Sequence, residues 1–595
     1  MKIITCILML VVSLGFGQST IEGYIIDRSN DQPLPYATIK ILSSDAKYTI
    51  TNQDGKFLIN GNFAIDSLEV SYIGFETKKI AVSYFETNAN LYVSPQISEL
   101  DEVVLVSNTK DYAYNLLGRL IGEYRKKKEV TKSKAFLTLT SSARNIPIEL
   151  VEGFFNSEQS LSNGVIDLNV KSGRFGQNKS FPFYNLDNTK ILSDFQFFKS
   201  SHQILPSYPG NMAPNAIKRN YNLKFDECNT CSKGDVSISF IPKKENGRLF
   251  HGKVLFNSGQ LVIKKIELGI RKPLMNALSS INKDIAITFH EIQLNIVFNP
   301  SDLDKIQYVD FSFKMNYYTN RISETIDSHS FLYFYDYDTS FEEPYFTKTI
   351  SFNNDYDKMI ALKASDDFWI TNYQFPTSVN EKNSMDFMRK NGYLINYDSS
   401  ISSENSKYTK TSVLSWSRNK RIIWEDLKQS MTTADTKNTP RRSTLDNDLN
   451  VDKSSQSISA IKKIDPNKGC NNNLNISYML DTYKKENGAQ QNYGRTLLDI
   501  GSSCFNSNRT VIKLVYFNII FDLYETYRQN AESQVTDEMT FEEVKALFNK
   551  AYKEASSAVK KMKRETNHGA SYKDLKIWNN NINSKLNIDN FALVH

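Results

Sequence analysis

The cysteines are the residues of this chain whose spacing most directly suggests chemistry. Cys228 and Cys231 form a C-x-x-C pair, while Cys470 and Cys504 stand well apart in the C-terminal region. A redox-active C-x-x-C opens a helix after a strand, but this pair lies in a polar stretch typical of a turn between strands. A zinc site would need two more ligands, and no histidine is close to Cys228 in the sequence. We therefore expect Cys228 and Cys231 to lie in a structural loop or a disulfide; free thiols and a catalytic role are the alternatives.

Motifs of the common enzyme classes do not occur in the sequence. None of the 6 histidines begins an H-x-x-E or H-E-x-x-H pattern, so the ligands of a zinc peptidase are missing. There is no G-x-S-x-G elbow. The nearest approach to a phosphate-binding loop, residues 173–180, has Asn178 where the glycine before Lys179 should stand. The sequence therefore predicts a protein that is not an enzyme, with no catalytic, cofactor-binding or metal-ligating residues.

The first residues predict an export signal. The positively charged Lys2 is followed by an apolar run at residues 3–16. Small or polar residues, Gly17 to Ser19, come next. This layout is typical of a secretory signal peptide, because the apolar run is shorter than the ~20 residues that a membrane helix needs. The alternative is a single N-terminal anchor. Export to the periplasm or to the outer membrane implies an oxidising compartment, which favours disulfides.

The bulk composition limits the function further. The chain has 595 residues, enough for about three or four domains of ~100–200 residues each. Lys and Arg number 72 against 66 Asp and Glu. The net charge of +6 is not concentrated in any basic block, so nucleic-acid binding is not expected. The 32 tyrosines and 36 phenylalanines favour a β-rich fold, because flat rings pack well on a pleated surface.

The residues after the export signal alternate in short β runs. Apolar positions share one face in the runs that begin at Ile21, Lys56 and Leu68, and polar turns separate these runs. The pair Asp54-Gly55 supplies the positive φ that a tight hairpin turn needs. Several short strands with turns at this spacing predict a β-sandwich.

Three spaced motifs in this region are specific. They are Pro33-Leu34-Pro35-Tyr36-Ala37-Thr38-Ile39, Thr51-Asn52-Gln53-Asp54-Gly55-Lys56-Phe57 and Leu68-Glu69-Val70-Ser71-Tyr72-Ile73-Gly74-Phe75. Together they resemble the carboxypeptidase regulatory-like domain, from residue 21 to about residue 106. The resemblance implies a transthyretin-like β-sandwich of the kind that often precedes TonB-dependent outer-membrane receptors, and residues 100–105 are similar to the connector of such proteins. Because the pattern specifies turns and core faces, it implies a fold and no catalytic site.

A connecting helix follows the sandwich. Leu116, Leu117, Leu120 and Ile121 are spaced for one helical face, and the basic residues 125–128 stand at its C-terminal end. Two interpretations of these cations stay open, a contact with anionic lipid headgroups and an ordinary solvated helix end.

The middle of the chain predicts a large antiparallel sheet. From residue 135 to about residue 376, apolar and polar residues alternate, as in Val236, Ile238 and Phe240. Such alternation gives the sheet one buried and one solvent-exposed face, which is typical of antiparallel sheets. We expect a curved sheet with an apolar concave side. The stretch 252–268 is similar to curved-sheet envelope proteins that cradle lipid or lipoprotein.

Two aromatic clusters, residues 331–338 and 367–370, mix rings with carboxylates. This mixture suits a sugar-binding face, since rings stack on apolar sugar faces while carboxylates accept hydrogen bonds from hydroxyls. The alternative, which we favour, is an aromatic-rich strand with its cross-strand partners.

The C-terminal third predicts a linker and then helices. Residues 379–469 are polar and lack periodicity, apart from a short helix near Trp424. Past Cys470 the period is helical. Residues 511–521 are apolar almost all round, as in a helix buried in a bundle. Thr540-Phe541-Glu542-Glu543 has the form of a capping box. An apolar stripe follows it: Val544, Leu547, Phe548, Ala551, Tyr552, Ala555, Val559 and Met562. The opposite, basic face fits either an anionic partner or water.

The predicted fold is multidomain and mainly β with an α-helical C-terminus. It comprises an N-terminal β-sandwich, an antiparallel curved sheet in the middle and a small helical bundle at the end. The expected segments are a signal peptide at residues 1–18, the regulatory-like sandwich at 19–106, a connecting helix at 107–130, an antiparallel β-rich domain at 131–378, a polar linker at 379–469 and a helical domain at 470–595.

The expected function is that of an exported cell-envelope protein of non-enzymatic binding or scaffolding type. It would be peripheral to the membrane at most, with partners among envelope proteins, glycans or lipids. Two alternatives stay open, a glycan- or peptide-acting hydrolase with carboxylates in the middle domain, and a lipid or lipoprotein carrier. A deep polar cleft with two carboxylates favours the hydrolase, and an apolar concave face with room for an acyl chain favours the carrier.

Overall fold

A computed structural model describes most of the chain. The described residues are 19–42, 47–61, 66–96, 109–181, 188–199, 204–226, 234–274, 286–318, 323–362, 366–372, 375–397, 411–429, 473–484, 490–505 and 509–593. The predicted signal peptide, the predicted connector, Cys228, Cys231 and Cys470 lie outside them. The chain divides into two compact units. The first comprises Met1–Glu343, Asn354–Tyr408 and Tyr483–Ala489, and the second Pro344–Asn353, Thr409–Thr482 and Gln490–His595.

The N-terminal part of the first unit is a sandwich of two small sheets. Its strands are β1 (Ser19–Asp27), β2 (Thr38–Leu42), β3 (Lys47–Ile50), β4 (Lys56–Gly61), β5 (Ser67–Ser71), β6 (Lys78–Ala81) and β7 (Asn90–Val93). One sheet has the order β4-β1-β7 and the other β3-β2-β5-β6. Apolar residues of both sheets, among them Ile25, Ile39, Phe57, Leu68 and Leu91, form one buried core. The predicted β-sandwich is confirmed.

The Asp54-Gly55 turn differs in one respect from its prediction. Gly55 has a φ of +71°, the positive value that was expected. However, the turn joins β3 to β4, and these strands belong to different sheets. The prediction of a hairpin here was wrong, because the chain crosses from one sheet of the sandwich to the other at this turn.

The rest of the first unit is built on an eleven-stranded sheet. Its strands are β8 (Thr131–Ala143), β9 (Ile146–Ser160), β10 (Gly164–Asn178), β11 (Tyr221–Asp226), β12 (Asp235–Pro242), β13 (His251–Asn257), β14 (Val262–Arg271), β15 (Ala286–Asn299), β16 (Asp302–Tyr318), β17 (Ser323–Tyr335) and β19 (Gly392–Ile395). The order is β11-β12-β13-β14-β15-β16-β17-β8-β9-β10-β19. Each pair of neighbours is antiparallel, as predicted.

Helices of the first unit pack on the apolar face of this sheet. They include α1 (Thr109–Tyr124), α2 (Asn188–Asp194), α3 (Pro214–Asn220) and α4 (Asp355–Ala361). Two further helices, α5 (Asp366–Asn372) and α6 (Val379–Asn391), belong to the same unit.

Three contacts show how the apolar face is covered. The Tyr124 hydroxyl of α1 accepts a hydrogen bond from the backbone N–H of Ile263 at 2.7 Å. The Asn188 side chain of α2 accepts one from Ser330 at 3.1 Å. The Tyr356 hydroxyl of α4 donates to the buried carboxylate of Glu149. The cavity left between α2, α4 and the sheet measures about 20 Å³, the room of roughly one water. The chain's own helices therefore cover the face that the sequence predicted to be an apolar concave side.

The connecting helix presents its predicted apolar face to the core. Leu116, Leu117, Leu120 and Ile121 are all buried. Most of the basic cluster after it is used within the protein. Arg125 donates to three backbone carbonyls. Lys126 pairs with Glu123 at 2.7 Å, and Lys127 with Asp304 at 2.5 Å. These pairings favour the structural interpretation of the cluster over a lipid contact.

Two glycines let α4 approach the sheet closely. Gly153 of β9 lies directly opposite Gly173 of β10. The side chain of Met359 packs on both, so that a Cβ added at Gly173 would stand 2.4 Å from its Cγ and one added at Gly153 would stand 3.1 Å from its Cε. Glycine is therefore required at positions 153 and 173 so that the Met359 side chain can pack there.

Gly173→Ala is expected to lower the free energy of unfolding by about 1–3 kcal/mol, because the added methyl group overpacks the contact with Met359. Gly118→Ala in α1 is the matched control, since an added Cβ there has nothing within 4 Å. It should stabilise the protein by about 0.5–1 kcal/mol through the higher helix propensity of alanine. Urea unfolding of both variants measures the difference. Equal midpoints for the two would contradict the packing argument.

The second unit combines a five-stranded sheet with helices. Its strands are β18 (Tyr345–Phe346), β20 (Val413–Ser415), β21 (Lys428–Gln429), β22 (Asn473–Lys484) and β23 (Gln490–Phe505). The sheet order is β18-β22-β23-β20, with β21 pairing in parallel with β23. The helices are α7 (Val511–Glu532), α8 (Phe541–Glu565), α9 (Tyr572–Leu586) and α10 (Asn590–Leu593).

Two sequence predictions for this part of the chain need correction. The helical region does not begin at residue 470, because residues 473–505 contain the long strands β22 and β23. The segment 379–469 is not linker throughout, since it contributes α6, β19, β20 and β21. The short helix near Trp424 is present as a 3-10 turn, Trp424–Asp426.

The helices after residue 510 agree with their patterns. The Thr540 side chain accepts a hydrogen bond from the Glu543 backbone N–H, and the Glu543 carboxylate accepts one from the Thr540 N–H, so the capping box is confirmed. Six residues of the predicted stripe are buried: Val544, Phe548, Ala551, Ala555, Val559 and Met562. The other two, Leu547 and Tyr552, are partly buried and pack against the same core.

Candidate functional site

The first unit exposes much of the polar face of its eleven-stranded sheet. Two recesses lie there, with volumes of about 460 and about 560 Å³. Both are lined by Glu291 and Gln293, so they form one continuous surface, which we call the polar sheet face. The strand register shows that this surface is centred on β15, where Gln293 lies opposite Gly269 of β14 on one side and Ser312 of β16 on the other.

Charges on the polar sheet face neutralise one another. Glu267 contacts Lys265 at 2.6 Å and Lys253 at 3.0 Å. Lys314 contacts Asp327 at 3.2 Å, with side chains that are 56% and 50% exposed. Water therefore reaches these pairs, and neither sign dominates the surface. Such a face suits a partner that is polar and carries mixed charge.

The N-terminal sandwich docks on another part of the same sheet face. The ring of Tyr36 stacks on that of Phe331, with centroids 3.8 Å apart and planes 9° from parallel. Tyr36 has a φ of +62°, a conformation that costs a residue other than glycine about 1–3 kcal/mol unless its surroundings fix it. Stacking on Phe331 is one contact that holds Tyr36 in this backbone conformation. The sandwich is therefore held on the sheet by specific packing.

The turn after β3 makes polar docking contacts. Asn52 donates to the backbone carbonyl of Pro376 at 3.1 Å, and the Asp54 carboxylate accepts from the Val379 N–H, at the start of α6, at 2.7 Å. Both residues belong to one of the motifs that carried the family resemblance. The sequence indicated only a turn there; the docking role was missed, because its partners lie more than 300 residues away.

A histidine and an aspartate form a dyad beside this turn. His329 Nε2 lies 2.7 Å from Asp310 Oδ1, and His329 Nδ1 lies 2.7 Å from Gln53 Nε2. With the Gln53 amide as donor, Nδ1 accepts and Nε2 donates to Asp310. Ser312 lies opposite His329 in the register. Because both ring nitrogens are already bonded, His329 has none left to activate the Ser312 hydroxyl, and the dyad serves the docking of the sandwich.

Two carboxylates approach each other near the start of α6. Glu152 is buried and accepts from Arg174 Nε at 2.7 Å. Burial and the charge of Glu152 raise the pKa of Glu381 above its ordinary value. A carboxyl group with a raised pKa can act as a general acid. However, the cavity beside Glu381 measures about 40 Å³, the room of about three waters. No sugar or peptide fits beside this pair in that cavity.

A separate cavity of about 230 Å³ lies between the sandwich and the sheet. We call it the tyrosine cavity, because Tyr36 and Tyr72 of the sandwich and Tyr308 of β16 line it. The rings of Tyr36 and Tyr308 have centroids 5.6 Å apart. The sequence reasoning missed this site, since Tyr72 and Tyr308, which line its two walls, are more than 200 residues apart.

The two predicted aromatic clusters are parts of the core. Phe331 to Tyr335 are buried in β17. Trp369 lies on α5, where its Nε1 donates to Ser172 at 3.0 Å and the guanidinium of Arg174 covers its ring at 4.0 Å. The rings therefore offer no open sugar-binding face, although Trp369 sits on a helix and not on the expected strand.

The second unit holds a buried polar cluster around Asp522. Its carboxylate accepts two hydrogen bonds from Arg421 at 2.7 Å each and one from Trp416 Nε1 at 2.8 Å. Asn590 donates to the same carboxylate at 2.7 Å. Arg421, Asp522 and Asn590 are all buried. No binding recess accompanies the cluster among the described pockets, and its contacts join α7, α10 and the segment before β21.

Cys504 of β23 is disulfide-bonded. The other cysteines lie outside the described residues. Where the structure describes the chain, no group of three or more His, Cys, Asp and Glu is placed to hold a metal ion. In the same residues, none of the helices combines the length and the apolar character needed to cross a membrane.

The sandwich has known relatives as a domain. Residues 21–105 match the family model described as the CarboxypepD_reg-like domain, so the N-terminal module is of this kind, as the resemblance implied. No curated protein sequence matches the chain.

The chain also has weak likenesses among solved structures. A structure of MucB is 8% identical with a TM-score of 0.14, covering 37% of this chain and 92% of that one. The Pseudomonas aeruginosa MucA/MucB complex is 10% identical with a TM-score of 0.15, covering 37% and 93%. Likenesses of this size assign neither a fold nor a partner to this chain.

Proposed function

We propose that this chain is an exported protein of a bacterial cell envelope that binds or scaffolds other envelope components and catalyses no reaction. The polar sheet face carries the proposal. It is a broad, water-exposed surface on a rigid sheet, and its paired charges offer hydrogen bonds without a net charge. Protein interfaces have a polar rim and about ten direct hydrogen bonds, which a surface of this kind can supply.

The disulfide at Cys504 supports export. Disulfides persist in the periplasm and at cell surfaces, whereas cytosolic thiols are kept reduced. The arrangement of residues 2–19 as an export signal agrees with the same compartment.

The two alternatives have less support from the described residues. A lipid carrier needs an accessible apolar face, and the helices of the first unit cover the apolar face of its sheet. A hydrolase needs its carboxylates beside a substrate-sized cleft, whereas Glu381 adjoins a cavity of about 40 Å³ and Glu152 is buried. The carboxylates on the polar sheet face, Glu291 and Asp327, stand on an open surface beside Lys314.

A photo-crosslinking residue at Gln293 in the natural host is expected to capture a defined set of envelope proteins or glycans. Gln293 is exposed and lines both recesses. Lys553, exposed on α8 of the second unit, is the matched control position. Mass spectrometry of the captured species should show partners that are specific to position 293. Identical capture from both positions, or capture of cytosolic proteins alone, would count against the proposal.

A further inference from the structure

The tyrosine cavity is distinct from the polar sheet face. The residues that line it are different from those that line the two recesses. Its volume of about 230 Å³ lies below the ~300–1,000 Å³ of pockets that hold drug-sized ligands. It therefore has room for one ring-sized group and not for a chain of them.

The charged side chains around this cavity are already paired. Lys264 Nζ contacts the buried Asp235 carboxylate at 2.6 Å, and Lys265 Nζ contacts Glu267 at 2.6 Å. A charged ligand would have to compete with these ion pairs. The walls therefore favour a neutral molecule.

Tyr308 supplies an unused polar group. Its side chain is 8% exposed, and its hydroxyl makes no hydrogen bond to another described residue. Tyr308 lines the cavity, and its hydroxyl is therefore available to bond a ligand there in place of water. Burial raises the pKa of Tyr308 well above its ordinary value, which keeps the phenol neutral. The neutral phenol both donates and accepts.

A family motif shapes the mouth of the cavity. The Phe75 N–H donates to the Tyr72 carbonyl at 3.0 Å across a turn in which Gly74 has a φ of +86°. The turn brings the rings of Tyr72 and Phe75 together, with centroids 5.3 Å apart. Both rings line the cavity. The Ser71-to-Phe75 segment therefore forms a turn and also lines the cavity.

We propose that the tyrosine cavity binds the neutral pyranose ring of a sugar. The rings of Tyr36, Tyr72 and Phe75 provide flat faces for the C–H side of such a ring, and its hydroxyls donate to and accept from Tyr308. An apolar ligand of the same size would leave the Tyr308 hydroxyl unsatisfied. An anionic or cationic one would disturb the Asp235–Lys264 pair.

The test is a titration of the purified mature chain with methyl glycosides of glucose, galactose, mannose and N-acetylglucosamine, followed by saturation-transfer NMR. At least one should bind saturably in the millimolar range. Tyr308→Phe should weaken that binding by roughly tenfold, the effect of one lost hydrogen bond. Tyr318→Phe, exposed on the same strand, is the matched control and should leave it unchanged. Thermal melting confirms that both variants fold.

Three results would overturn the proposal: no saturable binding of any of these glycosides, equal binding by wild type and Tyr308→Phe, or tighter binding of glucuronate or cyclohexanol than of every neutral sugar. The free sugar and the end of a glycan share the proposed chemistry. Tighter binding of the matching oligosaccharide identifies a glycan end, and tighter binding of the monosaccharide identifies a free sugar.

Discussion

Asp522→Ala is expected to lower the free energy of unfolding of the second unit by about 3–5 kcal/mol, because it leaves the buried guanidinium of Arg421 without its counter-ion. The same carboxylate also accepts hydrogen bonds from Trp416 and Asn590. Removing it takes this acceptor from the buried Asn590 amide and from the partly buried Trp416 indole, which adds to the loss. Urea unfolding of the full chain, with amide exchange read out in α7, measures the effect on this unit.

Two control variants separate the charge from other effects of that substitution. Lys561→Ala removes an exposed ion pair with Glu565, whose atoms are 3.8 Å apart, and should change stability by no more than about 0.5 kcal/mol. The double variant Asp522→Leu with Arg421→Met removes both charges and should recover part of the loss. If Asp522→Ala were as stable as Lys561→Ala, the cluster would contribute nothing to the fold.

Cys504→Ser is expected to cost about 2–4 kcal/mol of unfolding free energy, since the disulfide restricts the unfolded chain. Wild-type protein in reductant should lose a similar amount. The variant should respond less to reductant than wild type does. In a digest prepared without reduction, mass spectrometry should find the Cys504 peptide linked to a second cysteine peptide. Recovery of this peptide with a free thiol from protein purified out of the natural host would contradict both the bond and the oxidising compartment.

Several strands of the first unit were predictable because they have one buried face and one face that is less buried, although β9 and β10 are buried on both faces. In β16 the buried Val309, Phe311 and Phe313 alternate with the less buried Asp310 and Ser312, and the sequence alone shows this period. The same signal was present but overlooked in β22. There Leu474, Ile476 and Tyr478 alternate with the polar Asn475 and Ser477, and all three apolar residues are buried.

The helix α6 also had a local signal that the sequence reasoning missed. Ser378 and Glu381 form a capping box, in which each side chain accepts a hydrogen bond from the other residue's backbone N–H. The surrounding polar composition outweighed this motif in the sequence reasoning, and the segment was assigned to a linker. Composition describes the average of a segment, whereas a helix start depends on two positions.

Docking of the sandwich could not be predicted from local patterns. Gln53 and His329 are 276 positions apart, and Thr38 and Gln307 are 269 apart. A turn motif specifies backbone conformation, and it carries no information about which distant side chain will meet it. The tyrosine cavity depends on the same long-range pairing and was invisible for the same reason.

The interleaving of the two units constrains how the chain is made. Tyr345 and Phe346 form β18, whose partners in β22 are Leu480 and Met479. During synthesis the ribosome releases the edge strand long before the strand that it must join, so β18 stays an unpaired, aromatic segment until β22 has been synthesised. We expect a chaperone to protect this segment on nascent chains. Truncated chains that end before residue 473 should aggregate through it.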